Sequence, residues 1–156
     1  MADQTKLDKL FMVIARQFAT LSHCVSHSVG AVAVIDGRIV ATGYNGTPQG
    51  MINCDDVFPD YDPKTDRDEH SEWSNAHEIH AEMNVILFCA KHGIKLDGAT
   101  LYSTVEPCQH CTKNLLQSGV KRIVYGFPYD RAVTSDFIKN YIKDNNIIIE
   151  QLKEEE

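Results

Sequence analysis

The tightest constraint on this chain is a pair of helix openings, His80-Ala81-Glu82 and Pro107-Cys108-Gln109-His110-Cys111, with Cys108 28 residues after His80. Two cysteines at i and i+3 on the first turn of a helix point the same way, and the helix dipole favours their thiolates. Pro107 has no N–H to lose and suits a helix entrance. One imidazole and two thiolates make a borderline-soft donor set that fits Zn²⁺. If His80, Cys108 and Cys111 hold one metal, the two openings must meet in space. Glu82 adds a condition. On an ideal helix it points about 160° away from His80, so the two converge only if His80 is an extended cap and Glu82 lies in the first turn.

No fourth protein ligand presents itself. Cys89 lies nine residues after His80, about half a turn out of phase, and His110 falls between the two cysteines and faces away. Three protein ligands with an open position is the catalytic zinc pattern. With two thiolates the site carries no net charge and acidifies water less than an all-histidine site. A carboxylate placed to take the proton is then needed, and Glu82 fits that role. The plainer alternatives are a small structural zinc or a chance Cys-x-x-Cys. His-x-Glu followed by Pro-Cys-x-x-Cys is much more specific, and it is a signature of zinc-dependent nucleobase deaminases.

The rest of the chain reads as α/β. Leu7, Leu10, Phe11, Ile14, Phe18 and Leu21 recur every three or four residues and predict an amphipathic opening helix. Residues 29–35 and 38–42 are β-rich runs around Asp36-Gly37, a strong hairpin signal. Residues 99–104 and 122–126 predict two further strands joined by a helix over 108–118, hence parallel and neighbouring. A helix is expected over 133–144 and a last strand at Ile147, Ile148 and Ile149. In the helix that follows His80, Met83, Ile86, Leu87 and Ala90 share one face. The expected fold is a three-layer α/β/α arrangement on a mixed sheet of about five strands.

At 156 residues, one domain spanning 1–156 is the prior. An acidic insertion at about 54–79 interrupts it. Residues 55–79 hold six Asp and three Glu against Lys64 and Arg67, with few apolar side chains. Packing alone cannot order such a segment, so it is either a mobile loop or something staples it. The N-terminus lacks a signal-peptide core, and no apolar run approaches a membrane span. A cytoplasmic protein is therefore expected, with its five cysteines as thiols or metal ligands. A net charge of -7 disfavours a polynucleotide partner, which needs a basic groove.

Residues 29–50, 70–90, 105–111 and 119–130 together resemble the zinc-dependent cytidine and deoxycytidylate deaminases, in particular the phage-type deoxycytidylate enzymes. GYNGTP (43–48) upstream of HAEMN (80–84) is more specific than the zinc motif alone. The resemblance implies the cytidine-deaminase fold, dCMP as substrate, and dUMP and ammonia as products, with dUMP feeding thymidylate synthesis. It also implies a homohexamer activated by dCTP with Mg²⁺ and inhibited by dTTP, acting in the host cytoplasm if phage-encoded. Glu82 becomes the proton shuttle, and Asn45, Ala81 and Tyr129 become substrate contacts. Gly43, Tyr44, Gly46 and Thr47 form a possible nucleotide or effector loop, whose exposed N–H groups suit an oxyanion. Read without the resemblance, that loop is equally a tight turn.

Phage-type relatives also bind a second, structural zinc at positions matching Cys24, Cys54, His70 and Glu78. Such a set would staple the acidic segment to the loop before the first strand. His77 is a spare candidate should His70 prove remote, and two buried thiols with a solvated histidine are the alternative. One departure stands out. Many relatives carry Arg or Lys in the loop before Val29, but residues 22–28 offer only His23 and His27, so phosphate affinity is expected to be weaker or to depend on histidine protonation. Another zinc deaminase acting on cytidine or dCTP, and a non-catalytic zinc-stabilised nucleotide binder, are the competing readings.

Overall fold

The computed structural model describes residues 3–132 and 135–153. Helix α1 (Gln4–Ala19) is capped by Asp3, whose carboxylate accepts from Thr5 N at 2.9 Å. The hairpin of β1 (Gly30–Ile35) and β2 (Arg38–Tyr44) turns at Asp36 and Gly37 with φ of 51° and 72°. Both central positions are left-handed, as the Asp-Gly turn demands. The chain continues through α2 (Cys54–Val57), α3 (Arg67–His77), α4 (Ala81–His92), β3 (Thr100–Val105), α5 (Gln109–Gln117), β4 (Arg122–Phe127), α6 (Asp136–Asp144) and β5 (Ile148–Gln151).

The five strands run in the order β2-β1-β3-β4-β5. β1 is antiparallel to β2 and β3, while β3, β4 and β5 are parallel, joined by the helical crossovers α5 and α6. Strand alternation sorts the core onto two faces. Val32, Val34, Tyr102 and Val124 pack with Phe11, Met12 and Ala15 of α1. Ala31, Ala33, Leu101 and Ile123 pack with Ala81, Val85 and Cys89 of α4 and Leu115 of α5. The three layers and the mixed five-stranded sheet are those expected. Cys89, out of phase with His80, is a core residue 3% exposed.

The helix faces differ in detail from the sequence patterns. In α1 the buried line is Asp8, Phe11, Met12, Ala15 and Ala19, while Leu10 is half exposed, as is Leu21, which lies past the end of the helix. Asp8 can lie on that line because Arg122 donates to both its oxygens, at 2.8 and 2.7 Å, and the Tyr102 hydroxyl donates at 2.6 Å. Burial pulls the Asp8 carboxyl upward, but these partners outweigh it and hold the group below the usual carboxylate range. In α4 the buried residues are Ala81, Glu82, Val85 and Cys89, whereas Leu87 and Ala90 are exposed. The cause is Gly43, where a Cβ would fall on the Ala81 carbonyl oxygen and 3.0 Å from Val85 N. Without that Cβ, β2 and the first turn of α4 meet backbone to backbone, and this sets which face of the helix is covered.

The helix expected over 133–144 begins at Asp136, with Ser135 as its cap. Residues 133 and 134 lie outside the described residues. The acidic segment is ordered as α2 and α3. Among the described residues no helix is long and apolar enough to cross a membrane.

Candidate active site

Two helix caps face one another across the site. His80 is the N-cap of α4 in extended backbone, φ −65° and ψ 153°, and Glu82 lies in the first turn behind it. The chain enters α4 extended because Ile79 pairs with Gly46, Ile79 N donating at 2.8 Å and Gly46 N returning a bond at 3.1 Å. Cys108 caps α5 in the same way, φ −64° and ψ 165°, and its sulfur accepts from Cys111 N at 3.4 Å. His80 Nδ1 lies 3.5 Å from Cys108 Sγ and 3.4 Å from Cys111 Sγ. Three donor atoms within 4.8 Å of one another form the imidazole–dithiolate set that zinc favours. The electrostatics point the same way. The hydrogen bond from the Cys111 thiol, helped by the His80 ring, holds Cys108 far below an ordinary thiol. The Cys111 thiol is pushed up beside it, and the Cys108 sulfur raises His80. His110, as expected, is exposed and outside the set.

Glu82 is 4% exposed, and Ser103 of β3 donates its hydroxyl to Glu82 Oε1 at 2.9 Å. Burial raises the carboxyl, and its own backbone N–H and Ser103 offset part of the rise. A buried carboxylate with one hydroxyl donor beside a metal-ligand set is the arrangement of a proton-transfer group.

Glu82 and His80 open onto a cavity of about 480 Å³ that Asn45, Ala81 and Tyr129 also line. Asn45 is buried; its Oδ1 accepts from Val29 N at 2.9 Å and its Nδ2 donates to His27 O at 2.8 Å. These bonds shape the wall and leave one further bond available to each amide atom. Tyr129 lies two residues beyond β4, and its N–H donates to Glu106 Oε1 at 3.2 Å. Of the Gly-rich segment only Asn45 lines the cavity. Gly43 and Tyr44 are β2 residues, Gly46 forms the bridge to Ile79, and Thr47 is half buried outside it.

A second set gathers beside the first. Cys24, Cys54, His70 and Glu78 place their donor atoms within 4.8 Å of one another. His70 Nε2 lies 3.3 Å from Cys54 Sγ, 3.6 Å from Cys24 Sγ and 4.0 Å from Glu78 Oε2. Four donors close a tetrahedron, the structural zinc pattern. Burial pushes Cys24 up and Cys54 to about 12, so thiolates there need a cation beside them. Glu78 Oε2 accepts from the Ser74 hydroxyl at 2.6 Å, while Oε1 is buried with no hydrogen-bond partner. A buried carboxylate with one oxygen unpaired, beside two thiols and an imidazole, fits a metal ion. His77 lies outside this set; its ring meets Trp73 O at 2.7 Å and stacks on Trp73.

Some site residues carry no signal in the sequence. Ser103 sits in the buried middle of β3, and only the alternation that turns it toward α4 could have marked it. Glu106, Arg67 and Arg131 line the cavity from elements that meet only in three dimensions.

Residues 5–127 match the family model of the cytidine and deoxycytidylate deaminase zinc-binding region. The chain is 40% identical over 139 residues to the deoxycytidylate deaminase of Enterobacteria phage T4, spanning 70% of this chain and 72% of that protein. It is 35% identical over 149 residues to ComE operon protein 2 of Bacillus subtilis, 96% of this chain and 72% of that one. A crystal structure of dCMP deaminase from the cyanophage S-TIM5 in complex with dCMP and dUMP superposes with a TM-score of 0.72 at 30% identity, covering 97% of this chain and 98% of that one. With the fold, the His-x-Glu cap and the paired cysteines all in place, the chain belongs to the zinc-binding cytidine and deoxycytidylate deaminase family.

Proposed function

We propose that this protein hydrolyses dCMP to dUMP and ammonia. The observation that carries the reading is Glu82, a buried carboxylate held by Ser103 against the His80/Cys108/Cys111 set at the base of a nucleotide-sized cavity. The phage relatives named above, one of them with dCMP and dUMP bound, support the substrate.

His80 Nδ1, Cys108 Sγ and Cys111 Sγ would hold a zinc ion, which would supply the Lewis acidity that makes water nucleophilic near neutral pH. Glu82 takes the proton of the attacking water and passes it to N3 of cytosine, which makes C4 electrophilic. It then takes the remaining proton from the hydroxyl added at C4 and delivers it to the amine, so that the C4–N bond breaks, the C4 carbonyl forms and ammonia leaves. A carboxyl raised by burial holds a proton more readily than an exposed one, which suits a group used twice per turnover. Ser103 fixes which Glu82 oxygen faces the base. Asn45 and Ala81 contact the nucleoside, and Tyr129 covers its sugar side. Cys24, Cys54, His70 and Glu78 hold a structural zinc that ties α2 and α3 to the loop before β1.

A cytoplasmic homohexamer, activated by dCTP with Mg²⁺ and inhibited by dTTP, belongs to the same reading. A hyperbolic dCMP response unmoved by either triphosphate would remove the regulation. The substrate is tested by ammonia release from dCMP, cytidine and dCTP. Selective turnover of dCMP is expected; turnover of cytidine alone, or none even with dCTP and Mg²⁺, would contradict it.

A further inference from the structure

The proposed substrate carries a dianionic phosphate, yet the loop at 22–28 contains no Arg or Lys. The cavity answers this from elsewhere. Arg67, the first residue of α3, and Arg131, in the loop after β4, both line it. We infer that Arg67 and Arg131 together hold the 5′-phosphate of the nucleotide at the outer end of the cavity, opposite Glu82. The inference rests on the proposed nucleotide substrate and names how this chain tells it from the nucleoside.

Both arginines are exposed at the rim, whereas Glu82 is buried at the base. A nucleoside monophosphate bound with its base at Glu82 directs its phosphate outward. Each arginine is delivered by an anchored segment. The 127–131 loop is tied to the stretch that leads into the Cys108 cap: Glu106 N donates to Phe127 O at 2.8 Å, Tyr129 N to Glu106 Oε1 at 3.2 Å, and Gln109 N to Arg131 O at 3.3 Å. Arg67 stands on the helix whose His70 and capping Glu78 belong to the second donor set.

The charges around them leave the arginines available. No ion pair of Arg67 or Arg131 is present among the described residues, and Arg131 interacts with the Tyr129 side chain. Besides Glu82, the acidic groups lining the cavity are Glu78, engaged by Ser74 and the donor set, Glu106, engaged by Tyr129 N, and exposed Asp130. Ser71 and Asn75, one and two turns along α3 from Arg67, add neutral donors to the same wall. In a chain of net charge -7, two arginines lining one cavity offer a local anion site. Their planar forks suit a phosphate's paired oxygens.

Product binding tests this without turnover. Calorimetry on the zinc-loaded protein compares dUMP with deoxyuridine for wild type, R67Q, R131Q and the double variant. Wild type is expected to prefer dUMP. Each single variant should lower dUMP affinity about tenfold and the double variant about a hundredfold, with deoxyuridine affinity moving less than about twofold. Inorganic phosphate should compete with dUMP on wild type and much more weakly on the double variant. A double variant that keeps the wild-type preference for dUMP over deoxyuridine overturns the assignment. Failure of wild type to deaminate dCMP would instead remove the proposed reaction and leave an arginine-dependent dUMP preference standing.

Discussion

Gly43→Ala separates a packing glycine from a ligand-binding one. The added Cβ falls on the Ala81 carbonyl oxygen and 3.0 Å from Val85 N. Both are backbone atoms in α4, so no side chain can swing away. Ordinary contact returns only if the start of α4 retreats by roughly 1 Å. That movement carries Glu82 away from Ser103, now 2.9 Å off, and shifts the His80 cap relative to Cys108 and Cys111. Overpacking of this kind costs about 1–3 kcal/mol of stability, and roughly 1 Å of misplacement at a reacting group costs on the order of 100-fold in rate. Gly46→Ala is the control, because a Cβ there meets nothing within 4 Å. Urea midpoints and kcat/KM for dCMP are measured on both variants. The reasoning predicts loss of both quantities in Gly43→Ala and neither in Gly46→Ala. A Gly43→Ala protein with wild-type midpoint and rate would refute it. Equal damage from both substitutions would favour a nucleotide-binding loop.

Ser103→Ala should lower kcat about tenfold with little change in KM. It should also move the acid limb of the pH–rate profile upward, since Ser103 lowers the Glu82 carboxyl and Glu82 must be ionised to take a proton. Asp8→Ala removes the buried one of Arg122's two carboxylate partners and leaves Glu150, and should cost about 1–3 kcal/mol by denaturant titration. Because the folded Asp8 carboxyl lies below its unfolded value, its stabilisation is complete above about pH 4 and fades as pH falls through the folded value. The wild type should therefore lose more stability than Asp8→Ala as pH falls below about 4. Zinc analysis should give two ions per chain, falling to one in Cys54→Ser. Trp73, the chain's one tryptophan, stacks on His77 and meets Phe58 with centroids 5.6 Å apart, so its fluorescence should report loss of the second ion.

Local chemistry made much of this visible in the sequence. The Asp36-Gly37 turn, the parallel β3-α5-β4 unit and the extended His80 cap each follow from a few adjacent residues. Spacing alone required the cap, since His80 and Glu82 cannot share one side of a regular helix. The second donor set needed the resemblance, because Cys24, Cys54, His70 and Glu78 are spread over the loop before β1, α2 and α3 with no shared period. Helix faces were misread where a partner overrode hydrophobicity. Asp8 is buried because Arg122 lies more than a hundred residues away in sequence and 2.7 Å away in space. Leu87 is exposed because Gly43 turns α4 onto Ala81 and Val85. Arg67 and Arg131 were invisible as a pair for the same reason: only the fold puts α3 and the loop after β4 on one cavity.

The most direct measurement is the turnover of dCMP by Glu82→Gln alongside its zinc content. Glutamine keeps the shape and can still meet Ser103, but it cannot take a proton. The expected result is an unchanged zinc content with kcat lower by about a thousandfold or more. Wild-type turnover in Glu82→Gln with its zinc intact would contradict the mechanism.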